Sequence, residues 1–259
     1  MSDFPSEIVN EVAHRPWPMP AGPWIMTQSW HDLLFAHWPV AVDGLRRMIP
    51  PGLELDLFDT QAWLGVIPFH MTNVAPRGVP AIPWVSAFPE INVRTYVRAG
   101  GKPGVFFFSL DAGNPLAVTV ARTMFGLPYY SASIDVGQEE SWVLYRSRRT
   151  VASGVSRKAQ AAAFTSKYRP LGPAYIAQPG SLEYFLTERY CLYTVDEGLH
   201  LHRLEIHHPP WPLQNAEATI ETNTMADAAG VLLPSMAPEL YFSKRQDVVA
   251  WPLSLVTGS

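Results

Sequence analysis

Cysteine is almost missing: Cys191 is the one such residue in 259. No disulfide can form within the chain, which suits a reducing compartment and leads us to expect a cytoplasmic protein. Cys191 lies in Arg189-Tyr190-Cys191-Leu192-Tyr193, a stretch that reads as a strand. A buried, inert thiol is expected there over a nucleophile. Charge is also sparse, with 16% charged residues, 19 Lys+Arg against 23 Asp+Glu, and a net charge of −4. There is no basic excess to neutralise phosphates, so no nucleic-acid partner is expected. No apolar run approaches the roughly 20 residues that cross a bilayer, and Met1 to Pro23 has no apolar core of the signal-peptide kind. We therefore expect no membrane partner. Phosphate-cradling glycine loops and a Gly-x-Ser-x-Gly elbow are absent too.

Aromatic residues are plentiful: nine Trp, ten Tyr and twelve Phe within a 47% hydrophobic composition. That supplies a substantial core and the lining of a cavity. The length suits one large domain, expected over residues 24–259, with residues 1–23 as a peripheral segment. Within that segment, Pro5 to Ala13 suits a short helix. The pattern predicts a dozen or so short strands. Trp24 to Phe35 is the first, followed by a helix over Val40 to Met48 after Pro39. Leu53–Phe58 and Gln61–Met71 pair around Asp59-Thr60; Trp84–Val97 and Lys102–Asp111 pair around Gly100-Gly101. Asn114-Pro115 opens a helix to Phe125, which Gly126 stops. Tyr129–Val136, Ser141–Ser147, Arg149–Arg157 and Ala161–Tyr168 follow as strands. Ser181 caps a helix to Thr187, and Tyr190–Val195 and Leu199–His207 form a hairpin around Asp196-Glu197-Gly198. Strand Trp211–Glu221, a helix over Thr224 to Ala229, and strand residues at Tyr241 and over Val248–Leu255 complete the chain. No βαβ alternation is evident, so the expected class is mainly β: an antiparallel β-barrel or sandwich with a few short flanking helices.

The segment Glu90-Ile91-Asn92-Val93-Arg94-Thr95-Tyr96-Val97 alternates strictly. One face carries Glu90, Asn92, Arg94 and Tyr96, the other Ile91, Val93, Thr95 and Val97. An acid, an amide, a cation and a phenol in one row suit a polar pocket wall, and equally an exposed face with a cross-strand salt bridge. Glu90 and Arg94 lie about 13 Å apart along the strand. They read either as an ordering network or as an acid/base with an anion clamp. Arg122 sits near the end of its helix, where a cation suits the dipole; its alternative is to reach a pocket beside Tyr129. Tyr129 and Tyr130 point to opposite faces of a regular strand, so one of the two can face a pocket, and aromatic packing is the other reading. Glu188 and Arg189 read as a surface salt bridge before an internal network. His200 and His202 share a strand face near His207-His208, but no further ligand joins them, so no metal and no cofactor is expected. His37 and His70 read as core or rim histidines.

Gln28-Ser29-Trp30, Leu34-Phe35-Ala36-His37-Trp38-Pro39, the Glu90–Val97 strand, Gly126-Leu127-Pro128-Tyr129-Tyr130, Leu186-Thr187-Glu188-Arg189-Tyr190 and His208-Pro209-Pro210-Trp211-Pro212-Leu213 together resemble the YqjF-like family of uncharacterised bacterial proteins. The likeness runs from about Met26 to Pro252. That family looks like a branch of the acetoacetate decarboxylase-like superfamily, which implies a β-barrel around a central pocket. In the decarboxylases a Gly-aromatic-Pro-Lys-Lys segment supplies a Schiff-base lysine. Here Tyr129 and Tyr130 stand where those lysines are expected. Glu90 resembles their pocket glutamate, and their pocket arginine has no clear counterpart. An imine needs a neutral primary amine, which tyrosine lacks. Of the four lysines, Lys102, Lys158 and Lys244 look solvated or turn-bound, and Lys167 alone sits on a plausible strand among apolar neighbours.

The resemblance therefore disfavours acetoacetate decarboxylation. What we expect is a protein that binds a small keto- or hydroxy-acid-like ligand. Asn92, Arg94, Tyr96, Arg122, Tyr129 and Tyr130 would contact it, and Glu90 is the candidate catalytic group. The alternative is a lyase- or hydrolase-type enzyme in which Glu90 does acid/base work on a small carbonyl compound without an imine. A scaffold whose pocket is filled by side chains is the third reading. Homo-oligomerisation stays open.

Overall fold

The computed structural model describes residues 4–82, 85–150, 160–196 and 198–256. Thirteen strands join one sheet. They are β1 (Met26–Val40), β2 (Glu54–Leu55), β3 (Ala62–Pro76), β4 (Phe88–Ala99), β5 (Lys102–Ala112), β6 (Tyr129–Glu139), β7 (Trp142–Arg149), β8 (Ala163–Tyr175), β9 (Cys191–Val195), β10 (Leu201–His207), β11 (Leu213–Asn223), β12 (Glu239–Ala250) and β13 (Ser254–Leu255). The helices are short: α1 (Phe4–Ile8), α2 (Val42–Arg46), α3 (Pro115–Phe125), α4 (Leu182–Thr187) and α5 (Met225–Ala228).

Local chemistry explains several of these boundaries. In α3, Asn114 Oδ1 accepts from the Leu116 and Ala117 amides at 3.0 and 3.2 Å, satisfying two of the free donors of the first turn. Gly126 ends that helix at φ 60°, where a side chain would be strained. Helix α2 starts at Val42, later than Val40, because β1 runs on through Pro39, which lies opposite Trp63 of β3. Strand β12 is continuous where two pieces were expected. The expected strand start at Trp84, residues 151–157 of the Arg149–Arg157 strand, Lys158 and turn residue Glu197 lie outside the described residues.

The sheet is mixed, where an antiparallel one was expected. β5 pairs parallel to β6 through Leu110↔Tyr129 and parallel to β9 through Val105↔Leu192. The first follows from α3, which carries the chain back across the sheet so that β6 runs in the direction of β5, a crossover the alternation pattern hides. The pairings form two circuits. One runs β4-β5-β6-β7-β8-β11-β12-β1-β3 and back to β4; the other runs β4-β5-β9-β10-β12-β1-β3 and back to β4. They share the wall β12-β1-β3-β4-β5, which is why β4 is buried on both faces along nearly its whole length.

The two faces of that wall feed different cores. Leu34, Ala36, Leu64, Val66, Ile91 and Val93 pack with Tyr145, Phe164 and Phe242 inside the first circuit. Leu33, Phe35, Ile67, Phe69, Phe88 and Tyr96 pack on the opposite face with Trp211 and Leu186 of the segments that cover it. Glu90, Asn92 and Arg94 therefore point into the second circuit.

Candidate functional site

Inside the second circuit lies a cavity of about 410 Å³. Glu90, Asn92, Arg94, Tyr129, Thr187 and Arg189 line one part of it, and Trp30, Phe69, Phe88, Phe107, Leu110 and Phe125 line much of the rest.

Glu90 is 2% exposed. The Tyr129 hydroxyl donates to its Oε2 at 2.9 Å, and the Tyr145 hydroxyl donates to its main-chain oxygen at 2.8 Å. Burial pushes its carboxyl up to about 8, with the Asp111 charge adding to the rise; the bonds from Tyr129 and Asn92 oppose it without prevailing. Burial thus favours the protonated form of the Glu90 carboxyl, which can donate a proton or a hydrogen bond. The Tyr129 phenol is held well above its ordinary range, by burial first and by Glu90 second.

Arg94 is buried, and its Nη2 donates to the Leu186 carbonyl at 3.0 Å. Its Nε has no hydrogen-bond partner among the described residues. No carboxylate lies within ion-pair reach of it among those residues either. The neighbouring buried arginines are satisfied. Arg149 makes two 2.7 Å bonds to Asp111, and Arg189 Nη1 reaches Asp56 Oδ2 at 2.5 Å. Two other buried polar atoms of cavity-lining residues are unpartnered: Asn92 Oδ1 and Trp211 Nε1. Arg94 and Trp211 both pack on the Phe35 ring, at 5.6 and 4.9 Å between centres.

Glu90, Asn92, Arg94 and Tyr129 thus meet at one cavity, whereas Tyr96, Arg122 and Tyr130 do not border it. Tyr96 is fully buried, bonds Leu186 O at 2.7 Å and His37 Nε2 at 2.6 Å, and so serves as a strut. Arg122 is exposed on α3 and donates from Nε to the Tyr129 carbonyl at 2.5 Å. Tyr130 alternates to the other face, where the Arg149 guanidinium stacks 4.1 Å over its ring.

Glu188 and Arg189 are buried, contrary to the surface pair expected. Glu188 accepts from the Tyr190 hydroxyl at 2.5 Å and the Trp211 amide at 2.9 Å. Thr187, Arg189, His208 and Trp211 line the cavity without having been singled out as ligand contacts. The family-like segments that contain them were the available signal. His37 is buried, with its Nε2 on Tyr96, and burial holds its ring well below its usual range. His70 pairs with Pro89 across the sheet at partial exposure. His200, exposed in the turn, and His202, half-buried at the start of β10, lean on Asp196 at 3.2 and 3.0 Å. Burial pushes the Cys191 thiol up to about 12, which disfavours the nucleophilic thiolate.

No lysine lines the cavity among the described residues. Lys102 pairs with Glu205, Lys244 with Asp32, and Lys167 lies over the Trp142 ring. No helix among them is long and apolar enough to cross a membrane.

The model of the family DUF2071, an uncharacterized conserved protein, matches residues 27–247. The uncharacterized protein YqjF of Bacillus subtilis is 48% identical over 235 residues, 91% of this chain and 94% of its own. Among solved structures, an acetoacetate decarboxylase from Legionella pneumophila aligns at TM-score 0.60 and 14% identity, covering 96% of this chain and 95% of that one. The enduracididine biosynthesis enzyme MppR, solved with the condensation product of pyruvate and imidazole 4-carboxaldehyde, aligns at TM-score 0.61 and 13% identity, covering 91% and 90%. The fold is that of the acetoacetate decarboxylase-like proteins.

Proposed function

From the premise that this chain belongs to the DUF2071 family of uncharacterized conserved proteins, we propose that it binds a small keto- or hydroxy-acid-like ligand in the cavity beside Glu90. The carboxylate sits on Arg94. The carbonyl or hydroxyl faces the Glu90–Tyr129 pair, and Asn92 supplies a further polar contact. One observation carries this reading: a buried guanidinium with an unpartnered Nε borders a cavity and lacks the carboxylate that its neighbours Arg149 and Arg189 have. A buried cation is costly unless paired, and a ligand carboxylate is the natural counter-charge. MppR has been solved with pyruvate, which accords with this chemistry on a related fold.

Calorimetric titration with pyruvate, lactate and acetoacetate, with acetone as the neutral control, tests it. The acids bind and acetone does not. Arg94→Met weakens the acids by about one to two powers of ten, the value of a hydrogen bond to a charged group. Equal binding of acids and acetone, or an unchanged Arg94→Met protein, sinks the reading.

A second reading rests on the neutral Glu90. A carboxylic acid held near pKa 8 beside a phenol is suited to protonating a carbonyl or leaving group, which would make the protein a lyase- or hydrolase-type enzyme working without an imine. The placement of the lysines supports the absence of an imine. A substrate turned over equally by wild type and Glu90→Gln would remove this reading and leave binding intact.

A further inference from the structure

The polar groups of the cavity occupy a small part of its wall. The remainder is aromatic and aliphatic, drawn from β1, β3, β5 and α3. Cavities of roughly 300–1,000 Å³ hold drug-sized molecules. At about 410 Å³ this one greatly exceeds what a pyruvate-sized acid fills. A short acid seated on Arg94 would leave Phe88, Phe107, Leu110 and Phe125 facing empty or watery space.

The rim adds an independent observation. Leu116 is 55% exposed and Val85 37%, yet both border the cavity. They lie together, because the Asn114 amide at the head of α3 reaches the Val85 carbonyl at 3.4 Å. Ile82, 55% exposed, lies next to Val85, whose amide donates to the Ile82 carbonyl at 3.2 Å. An opening edged with exposed aliphatic side chains suits contact with the apolar end of a ligand.

We propose that the ligand is an amphipathic monocarboxylic acid whose head is held at Arg94 and whose long apolar tail fills the cavity between β5 and α3 towards the Leu116–Val85 mouth. This deepens the carboxylate reading above and rests on it. The tail supplies most of the affinity through burial, and the head fixes the direction of entry. Trp211 lines the cavity and shares the Phe35 ring with Arg94, and its buried Nε1 has no partner among the described residues.

The test is a homologous series titrated into the full chain at pH 7: 2-oxobutanoate, 2-oxohexanoate, 2-oxooctanoate and 2-oxodecanoate, with 2-octanone as the neutral partner. Affinity rises about three- to fourfold for each added methylene until the cavity is full. 2-Octanone binds more weakly than 2-oxooctanoate by about tenfold or more. Ala121→Phe, which places a ring in the apolar part, brings 2-oxodecanoate down towards 2-oxobutanoate. If the acids bind with no dependence on chain length, the tail proposal is wrong while the carboxylate reading survives. If 2-octanone matches 2-oxooctanoate, the head assignment at Arg94 fails and both readings fall. The wild-type series decides the matter even where Ala121→Phe does not fold.

Discussion

At the scale of single residues, Glu90 shows how far environment can move an ordinary side chain. Folding raises its carboxyl from 4.5 to about 8. Between those values the folded chain holds a proton that the unfolded chain has released, so the stability this group contributes is full at acidic pH. It falls as pH rises through that window and levels off above about 8. Glu90→Gln keeps the shape and removes the titration. The variant should therefore gain on wild type as pH rises, by an amount on the order of a few kcal/mol across the window. Urea midpoints at stepped pH measure it, and a wild-type-minus-variant difference that stays flat would show that Glu90 titrates normally. The same titration bears on the proposed ligand: above about 8 the ionised Glu90 should repel an acid placed on Arg94, and titration of the acid at stepped pH should show weaker binding there. The face shared by Glu90, Asn92 and Arg94 was legible from strict alternation, as was the opposition of Tyr129 to Tyr130. The partners of the buried charges were not. Asp111 meets Arg149 across 38 residues and Asp56 meets Arg189 across 133, and a single sequence carries no trace of such pairings.

At the scale of elements, local chemistry was readable and long-range direction was not. Asn114-Pro115 and Gly126 bracket α3 as their cap chemistry requires. The parallel pairing of β5 with β9 left no sign in either strand, because parallel and antiparallel strands share the same side-chain period. One glycine marks it in retrospect. A Cβ built on Gly104 of β5 would stand 2.7 Å from the Cys191 carbonyl oxygen and Sγ, and 2.9 Å from the Tyr193 ring. The close approach of β9 to β5, which helps close the second circuit, depends on that missing side chain. Gly104→Ala must displace β9. The expected cost is about 1–3 kcal/mol in denaturant unfolding, together with weaker acid binding, since Leu192 of β9 lines the cavity. A Gly104→Ala protein with unchanged midpoint and affinity would mean that β9 moves freely without disturbing the site.

For the whole molecule, the double-circuit sheet explains why three buried arginines behave differently. The wall β12-β1-β3-β4-β5 separates a packed core from a cavity. Arg149 is neutralised by Asp111, tying β7 to β5, and Arg189 by Asp56. These pairs belong to the scaffold and are complete without a ligand. Arg94 alone among the three has a buried donor, Nε, without a hydrogen-bond partner among the described residues, and it is the donor that the proposed ligand would complement. The two roles separate under thermal unfolding. Arg149→Met leaves Asp111 as an uncompensated buried carboxylate and should cost about 3–5 kcal/mol with or without ligand. Arg94→Met removes a cation that has no ion-pair partner among the described residues, so the ligand-free protein should lose much less. Acid at a hundredfold excess over its dissociation constant should stabilise wild type by about 2.7 kcal/mol, a rise of roughly 5–10 °C in Tm for a chain of this size. That rise should persist in an Arg149→Met protein that still folds, and at the same acid concentration it should shrink to about 0.4–1.4 kcal/mol in Arg94→Met. A ligand-induced rise that survives Arg94→Met undiminished would place the bound acid elsewhere and make Arg94 one more structural charge in the wall.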